Sequence, residues 1–412
     1  MSDMPLHLFE AIGIELEYMI VDRDTLAVMP SADRVLAAAA GEIVSEVEMG
    51  PLAWSNELVS HVIELKTNGP APTLDGLATT FQSDVQRIDA IAGAFNGRLM
   101  PTACHPWMDP QSETVLWPHD YSPVYEAYDR IFRCRGHGWS NLQSMHINLP
   151  FCGDGEFARL HAAIRLLLPL MPALTASSPI LEGRLTGFLD SRMAVYQHNA
   201  DRVPAVAGRI VPEPVASAAD YDRKIFQPMY AAIGPLDPDG ILRQPFLNSR
   251  GAIARFERGA IEIRVLDVQE CPAADIAVAI LIQGALQAVC RERWAAMATL
   301  QAMETTRLAD LLVAVVREGD GAVIDDSAYL QALGMDASRR TAGEVWQHLS
   351  ATCLTAGAPD SALTEPLATL LNEGCLARRI VQVLSGDLHR ERQVAVYRTL
   401  CDCLHQGKMF HG

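Results

Sequence analysis

The chain has 412 residues, and 33 Lys and Arg stand against 50 Asp and Glu, which gives a formal net charge of −17. This surplus of carboxylates argues against a sequence-independent nucleic-acid binder and against docking on anionic lipid, because both need a cationic face. Hydrophobic residues make up 49% and charged residues 20%, which supplies a large core and excludes global disorder. We expect an acidic, soluble, globular protein without a nucleic-acid or membrane partner.

The sequence also favours a cytoplasmic location. The N-terminal residues MSDMPLHLFEAIGIELE lack the basic and apolar regions of a secretion signal. The longest apolar stretch, residues 166–174, is too short to span a membrane and contains two prolines. The nine cysteines include no CxxC pair and no zinc-finger spacing, so we expect reduced thiols.

Two textures follow each other along the chain, and we interpret them as parts of one catalytic domain, 1–412. Residues 8–271 mix short alternating segments, helices and turns, whereas residues 273–408 have helical periodicity almost throughout. Helices are predicted over 76–95, 125–134, 156–171, 273–298, 304–318, 342–353, 363–384 and 389–406. A strand is predicted after Asn96, and the stretches 234–240 and 355–359 resemble linkers. The fold class is α+β, a mainly antiparallel sheet with a helical C-terminal third packed onto it.

Four predicted strands carry chemically unusual polar faces. In residues 12–18 the period of two places Ile14, Leu16 and Tyr18 on one side, and Glu15 and Glu17 on the other. The same pattern pairs Glu64 with Lys66 in 62–67, His146 with Asn148 in 145–149, and Glu262 with Arg264 in 261–265. Glu57 lies seven residues before Glu64, in or just before the same strand.

Each strand alone is consistent with a sheet that has one solvated face. Taken together, however, the faces carry mostly carboxylates, which repel one another unless a cation stands between them. A hard divalent ion satisfies such a set, with His146 as an additional ligand or as a core histidine. For Arg264, a phosphate or carboxylate partner and a salt bridge to Glu262 are equal alternatives.

A metal-lined sheet of this kind suits a polyphosphate, whose oxygens divalent ions bridge. The sequence contains no phosphate-binding loop, no complete dinucleotide fingerprint and no Gly-x-Ser-x-Gly elbow. We therefore expect any ATP to bind through metals and a sheet, not at a helix N-terminus.

Several segments, in this order, resemble the type 2 glutamate–cysteine ligase family, also called carboxylate–amine ligases. They are 13–22 (GIELEYMIVD), 64–67 (ELKT), 145–150 (MHINLP), 177–188 (SSPILEGRLTGF) with Ser191 and Arg192, 259–267 (GAIEIRVLD) and 376–379 (LARR). The resemblance spans nearly the whole chain. It implies a glutamine-synthetase-like fold, whose curved antiparallel sheet forms an incomplete barrel with ATP and two or three Mg²⁺, or Mn²⁺, inside.

By the same resemblance, individual residues take roles. The metal ligands would be Glu15, Glu17, Glu57, Glu64, His146 and Glu262. Arg264 would bind ATP phosphate or the transferring phosphoryl group. Arg192 would contact phosphate or a substrate carboxylate, although it could equally be a helix-surface arginine. Lys66 would reach the nucleotide or lie at a strand edge in solvent, and Asn148 would orient a metal water or bond a ligand. The family's Arg-Phe-Gly-Thr run is interrupted here, so either Arg255 or Arg258 takes the familial position.

The implied activity is ATP-dependent amide formation between a carboxylate, such as glutamate, and an amine or amino acid, through an acyl phosphate. The alternatives are a phosphagen-kinase-like phosphotransferase, a non-catalytic metal- or nucleotide-binding relative, and a metal-dependent amide hydrolase. A homo-oligomer is expected. The amine and the preferred metal are not readable from the sequence.

Overall fold

A computed structural model describes residues 5–354 and 361–412, and its central element is an eight-stranded antiparallel sheet. Its strands are β1 Gly13–Asp22, β2 Glu46–Met49, β3 Leu52–Asn56, β4 Val62–Thr67, β5 Gly97–Met100, β6 Ser144–Pro150, β9 Ala252–Arg255 and β10 Ala260–Asp267. Two separate two-stranded sheets are formed by β7 Ile180–Leu181 with β8 Arg184–Leu185 and by β11 Val323–Ile324 with β12 Arg340–Thr341. The order in the sheet is β2-β3-β4-β1-β6-β10-β9, and β5 pairs with β1. The end strands β2 and β9 do not pair with each other in the described part of the chain, so the sheet is not closed into a barrel. This agrees with the predicted incomplete barrel.

The four strands predicted to carry polar faces are confirmed as β1, β4, β6 and β10. β1 alternates as expected, with Ile14, Leu16 and Tyr18 fully buried in the core. The segment after Asn96 is also a strand, β5, which pairs with β1. Strands β2, β3 and β9 were not predicted. They are four or five residues long, and so short a segment carries little period-two signal.

Helices surround this sheet and form most of the C-terminal part. They are α1 Ala32–Ala40, α2 Leu77–Gly93, α3 Pro110–Glu113, α4 Ser122–Phe132, α5 His137–Ser140, α6 Gly153–Leu167, α7 Pro172–Thr175, α8 Ser191–Tyr196, α9 Ala218–Tyr221, α10 Gln227–Ile233, α11 Pro272–Cys290, α12 Met297–Gln301, α13 Thr305–Glu318, α14 Ser327–Ala332, α15 Ala342–Cys353, α16 Ser361–Asn372, α17 Leu376–Leu384 and α18 Arg390–Gln406. A π-helical turn, Asp222–Phe226, joins α9 to α10.

Three predicted helices were too long. The segment 156–171 ends as α6 at Leu167, because Pro169 cannot continue the helical hydrogen bonds. The segment 273–298 ends at Cys290, and Glu292 then adopts a positive φ of 54°. The segment 363–384 is two helices separated at Gly374, whose φ is +83°.

The linker predicted at 234–240 is a compact turn, because Asp237 is fully buried and accepts the backbone N–H groups of Ile241 and Leu242. The second predicted linker, 355–359, lies outside the described residues. The main hydrophobic core includes side chains of β1, α11 and α15. This shared core supports the assignment of 1–412 to one domain, which stays a prediction.

One helix, α11, is long and apolar enough to cross a membrane, but 72% of its most apolar window is buried inside the protein. A mostly buried core helix of this length and composition passes the same test. The apolar residues of α11 pack against α2, α6, α15 and α16.

The core behind the sheet sets the stability of the fold. Leu16 is fully buried in the middle of β1, so Leu16→Ala should lower the free energy of unfolding by about 2–5 kcal/mol. Chemical denaturation measures this loss. The control is Leu185→Ala at a leucine that is 40% exposed, which should cost less than about 0.5 kcal/mol. Equal losses in the two variants would contradict the packing described here.

Candidate active site

A cavity of about 490 Å³ lies over the polar face of the sheet, where β1, β4, β6 and β10 run side by side. Its lining is unusually rich in charge: six carboxylates, four cationic side chains and one imidazole. The carboxylates are Glu15, Glu17, Glu46, Glu57, Glu64 and Glu262, the cations are Lys66, Arg255, Arg258 and Arg264, and the imidazole is His146. Of the ten site residues predicted from the sequence, nine line this cavity, Asn148 among them, and Arg192 does not.

Strand register brings these residues together. In the centre of the sheet, Glu15 of β1 stands opposite Lys66 of β4 on one side and opposite His146 of β6 on the other. Glu17 stands opposite Glu64. Directly opposite residues share one face of a sheet, so the polar faces predicted separately for each strand become one surface.

His146 is the centre of two potential ligand sets. Its Nδ1 lies 2.8 Å from Glu15 Oε2 and 3.9 Å from Glu262 Oε1, and its Nε2 lies 3.8 Å from Glu17 Oε1. One set is Glu15, His146 and Glu262, and the other is Glu17, Glu64 and His146. Within each set the potential ligand atoms all lie within 4.8 Å of one another.

The six carboxylates of the cavity lining outnumber its four cationic side chains, so the protein alone does not neutralise their charge. Burial, together with the negative charges of Glu17 and Glu64, raises the pKa of Glu57 well above its ordinary value. Burial and the charge of Glu15 raise the pKa of Glu64 to about 7, despite the opposing effect of Lys66.

Glu15 shows the opposite behaviour. Burial alone would raise its pKa, but the hydrogen bond and charge of His146 and the charge of Arg264 outweigh burial and lower the pKa to about 2. Glu15 is therefore held as a carboxylate, whereas Glu57 and Glu64 need a further cation to stay ionised near neutral pH.

This donor set fits hard divalent ions. Carboxylate oxygens with one imidazole suit Mg²⁺ or Mn²⁺, and neighbouring side chains hold the carboxylates in place. Ser55 Oγ donates to Glu64 Oε2 at 2.6 Å, Asn148 Nδ2 donates to Glu15 Oε1 at 2.9 Å, and the backbone N–H of Ser144 donates to Glu17 Oε2 at 2.6 Å. Such outer partners orient metal ligands.

The cationic side chains lie beside the carboxylates. Arg264 Nη1 donates to Glu262 Oε1 at 2.6 Å, and Arg255 Nη1 donates to Glu262 Oε2 at 3.0 Å, so two arginines share one carboxylate. The salt-bridge alternative for Arg264 is therefore confirmed, while its side chain is still 30% exposed to the cavity. Arg258 is exposed at the cavity rim, so Arg255 rather than Arg258 contacts the ligand sets.

Lys66 belongs to an interior strand of the sheet, because β4 is flanked by β3 and β1. Its Nζ lies 2.6 Å from Glu46 Oε2 and 3.2 Å from Glu64 Oε2. The alternative of a solvent-exposed lysine at a strand edge was therefore wrong. Glu57 lies in the connection between β3 and β4, so it precedes the strand of Glu64 and is not part of it.

Arg192 is 3% exposed and does not line the cavity. Its Nη1 donates to Asp267 Oδ1 at 3.4 Å, and its Nη2 donates to the carbonyl oxygen of Arg264 at 2.8 Å. The alternative of a helix-surface arginine was wrong, and direct contact with phosphate stays a prediction that these contacts do not support.

Three residues that were not predicted each contact a predicted site residue: Ser144, Ser55 and Glu46. Ser144 could have been found, because the period of two places it on the face of His146. Ser55 and Glu46 could not, since they lie on the unpredicted strands β3 and β2 and reach the site only through register.

A sequence model described as glutamate–cysteine ligase family 2 matches residues 11–396. The chain belongs to this family. The enzyme thus falls in the class of carboxylate–amine ligases, and the resemblance found in the sequence is confirmed.

Two relatives are similar to this chain in sequence. An uncharacterized protein of Archaeoglobus fulgidus is 34% identical over 281 residues, which cover 68% of this chain and 75% of the relative. A protein of Rubrobacter xylanophilus, named "Putative glutamate--cysteine ligase 2-3", is 28% identical over 185 residues, which cover 45% of this chain and 48% of the relative. The second match thus spans about half of that relative.

Solved structures share the glutamine-synthetase-like ligase fold at low identity. A bifunctional glutathione synthetase from Pasteurella multocida superimposes with a TM-score of 0.61 at 11% identity, over 97% of this chain and 53% of that one. A glutamate–cysteine ligase from Francisella tularensis, in complex with AMP, gives 0.54 at 12% identity, over 98% and 93%. At these identities the likeness shows the fold alone.

The two ligand sets predict that divalent-ion binding depends on residues of each set, Glu17 in one and Glu262 in the other. Glu17→Gln and Glu262→Gln should each weaken Mn²⁺ binding by at least about tenfold, as loss of an oriented ligand does in other metal sites. Isothermal titration calorimetry measures the affinity. The control, Glu42→Gln at an exposed carboxylate outside the cavity, should bind as the wild type does. Unchanged affinity in both site variants would contradict the assignment.

Proposed function

We propose that this enzyme couples the cleavage of ATP to the formation of an amide between a carboxylate, glutamate or a close analogue, and an amine or amino acid. The observation that carries this proposal is the pair of ligand sets that meet at His146 inside a cavity also lined by arginines and a lysine. Membership of the glutamate–cysteine ligase family supports glutamate as the carboxylate and cysteine as one amine to test.

Divalent ions would be held by Glu15, Glu17, Glu57, Glu64, His146 and Glu262. When bound, they offset the charge of the triphosphate and allow two anions to lie in contact. Arg264 and Lys66 lie next to these ligands and supply fixed positive charge for phosphate oxygens. Asn148 already donates to Glu15, so we assign it the role of orienting that ligand.

The proposed reaction has two steps. A carboxylate oxygen of the substrate attacks the γ-phosphorus of ATP, the bond from that phosphorus to the bridging oxygen breaks, and ADP leaves. The amine nitrogen then attacks the carbonyl carbon of the acyl phosphate, the bond from carbon to the phosphate oxygen breaks, and phosphate and one proton are released. No protein nucleophile is needed, because binding both reactants in one cavity brings them together.

Isotope transfer tests both the reaction and its intermediate. Protein with ATP, Mg²⁺, a panel of amines and glutamate labelled with ¹⁸O in its carboxylates should yield an amide, ADP and phosphate that carries one ¹⁸O atom. Mass spectrometry identifies all three products. Amide formation with unlabelled phosphate would contradict the acyl phosphate. A stable phosphorylated acceptor would indicate a phosphotransferase, and hydrolysis without ATP an amide hydrolase.

Substitution of Lys66 tests the nucleotide subsite. Lys66→Gln removes the one lysine of the cavity lining, so it should weaken the affinity for Mg²⁺–ATP by about tenfold, as expected for loss of one charge-assisted contact. Equilibrium binding of a non-hydrolysable ATP analogue measures this effect. Lys224→Gln is the matched control, because Lys224 pairs with Asp220 outside the cavity. Parallel losses in both variants would exclude a specific role for Lys66.

A further inference from the structure

Strand β10 contains one residue more than its neighbour β6 over the same length. Ile263 pairs with Ile147, and the next pair is Leu266 with Met145. Residues 264–265 therefore stand opposite a single residue of β6, which defines a β-bulge. Bulges of this kind change the direction in which side chains of the strand point.

The bulge lies opposite His146, the centre of both ligand sets. Because one residue is inserted, the alternation of faces shifts by one position beyond it. Asp267, which pairs with Ser144, consequently lies on the same face of the sheet as Arg264. Without the bulge these two residues would point to opposite faces.

Arg192 bridges the two sides of the bulge. Its Nη2 donates to the carbonyl oxygen of Arg264 at 2.8 Å, and its Nη1 donates to Asp267 Oδ1 at 3.4 Å. Asp267 is fully buried and Arg192 is 3% exposed, so water does not compete for these contacts. The planar guanidinium group, with donors in fixed directions, is suited to hold two acceptors at a set separation.

The ends of this bridge are themselves anchored. Asp267 Oδ2 accepts from the backbone N–H of Ser177 and from Ser178 Oγ, both at 2.9 Å. Ser178 Oγ in turn accepts the backbone N–H of Arg192 at 3.0 Å. The start of α8 is thereby fixed to β10 through one buried carboxylate.

Gly251 adds a steric constraint on the same bulge. Its carbonyl oxygen accepts the backbone N–H of Arg264 at 2.8 Å. A Cβ atom at Gly251 would lie 2.4 Å from Val265 Cγ1, closer than real contacts allow. Only glycine lets the backbone approach the bulge this closely.

We propose that Arg192 is a positioning residue, whose guanidinium group fixes the bulge in β10 and thereby directs Arg264 into the cavity beside the metal ligands. The inference rests on the proposed function, in which Arg264 contacts the nucleotide phosphates. This positioning role takes the place of direct contact between Arg192 and phosphate. Both acceptors of the guanidinium group, Asp267 Oδ1 and the carbonyl oxygen of Arg264, belong to β10.

A double-mutant cycle with Arg264 tests this role. Arg192→Lys keeps the positive charge but loses the planar guanidinium group that donates to two acceptors at once. This variant should weaken the binding of a non-hydrolysable ATP analogue with Mg²⁺ by about tenfold, and Arg264→Lys should have an effect of the same size. If Arg192 acts through Arg264, the double variant should lose no more than about threefold beyond the weaker-binding single variant. Calorimetry on the full chain measures all four affinities.

Arg165→Lys is the matched control, because Arg165 is also a buried arginine that donates to backbone carbonyls, those of Pro212 and Met303. It should lower the melting temperature but leave nucleotide affinity unchanged. Independent losses that multiply to about a hundredfold in the double variant would overturn the proposal. So would unchanged affinity in Arg192→Lys, or an equal loss of affinity in Arg165→Lys.

If Arg192→Lys does not fold, Asp267→Asn enters the same cycle, since it weakens the hold on the guanidinium while keeping the side-chain shape. The same outcomes decide the proposal. Wild-type protein that binds no nucleotide at all would overturn the proposed function, and the inference with it.

Discussion

Repulsion between carboxylates on adjacent strands is the constraint on which the rest of the structure depends. Glu15 and Glu17 lie on β1, Glu64 lies on β4 and Glu262 lies on β10, and the strand register makes these residues converge on His146 of β6. Such a surface is unstable without counter-charge, and burial together with this repulsion raises the pKa of Glu57 and of Glu64. A sheet face of this composition is one that bound cations would stabilise.

The remainder of the fold supports this surface in two ways. The opposite face of β1 is fully buried, so the hydrophobic core fixes the strand that carries Glu15 and Glu17. Around the cavity, Ser55, Ser144 and Asn148 hold individual carboxylate oxygens, and Arg255 and Arg264 share Glu262. The ligands are thus held in place by protein contacts before any ion or nucleotide binds, which lowers the cost of binding.

Much of this site could be predicted from the sequence because strand alternation is a local property. The period of two was sufficient to place Glu15 with Glu17 and His146 with Asn148. Register and bulges are not local, since they depend on which strands pair and on how the core fills. For that reason the contacts of Ser55 and Glu46, and the shift of Asp267 to the face of Arg264, could not be predicted.

Arg192 illustrates a contact that the sequence does not specify. Its place in a familial segment predicted contact with phosphate or a substrate carboxylate, whereas in the structure it is buried and donates to the backbone carbonyl of Arg264 and to Asp267. Helix boundaries failed for a similar reason. The helical pattern of 363–384 continues through Gly374, but the chain turns there with a positive φ, and periodicity does not detect such a turn.

Pulsed electron paramagnetic resonance of the enzyme with Mn²⁺ and an ATP analogue tests the central claim most directly. If acidic side chains and His146 hold the ions that grip the triphosphate, bound Mn²⁺ should couple both to phosphorus of the nucleotide and to an imidazole nitrogen. His146→Ala should abolish the nitrogen coupling. Nucleotide that binds equally well in a chelator, or Mn²⁺ that couples to phosphorus alone in the wild type, would contradict the account.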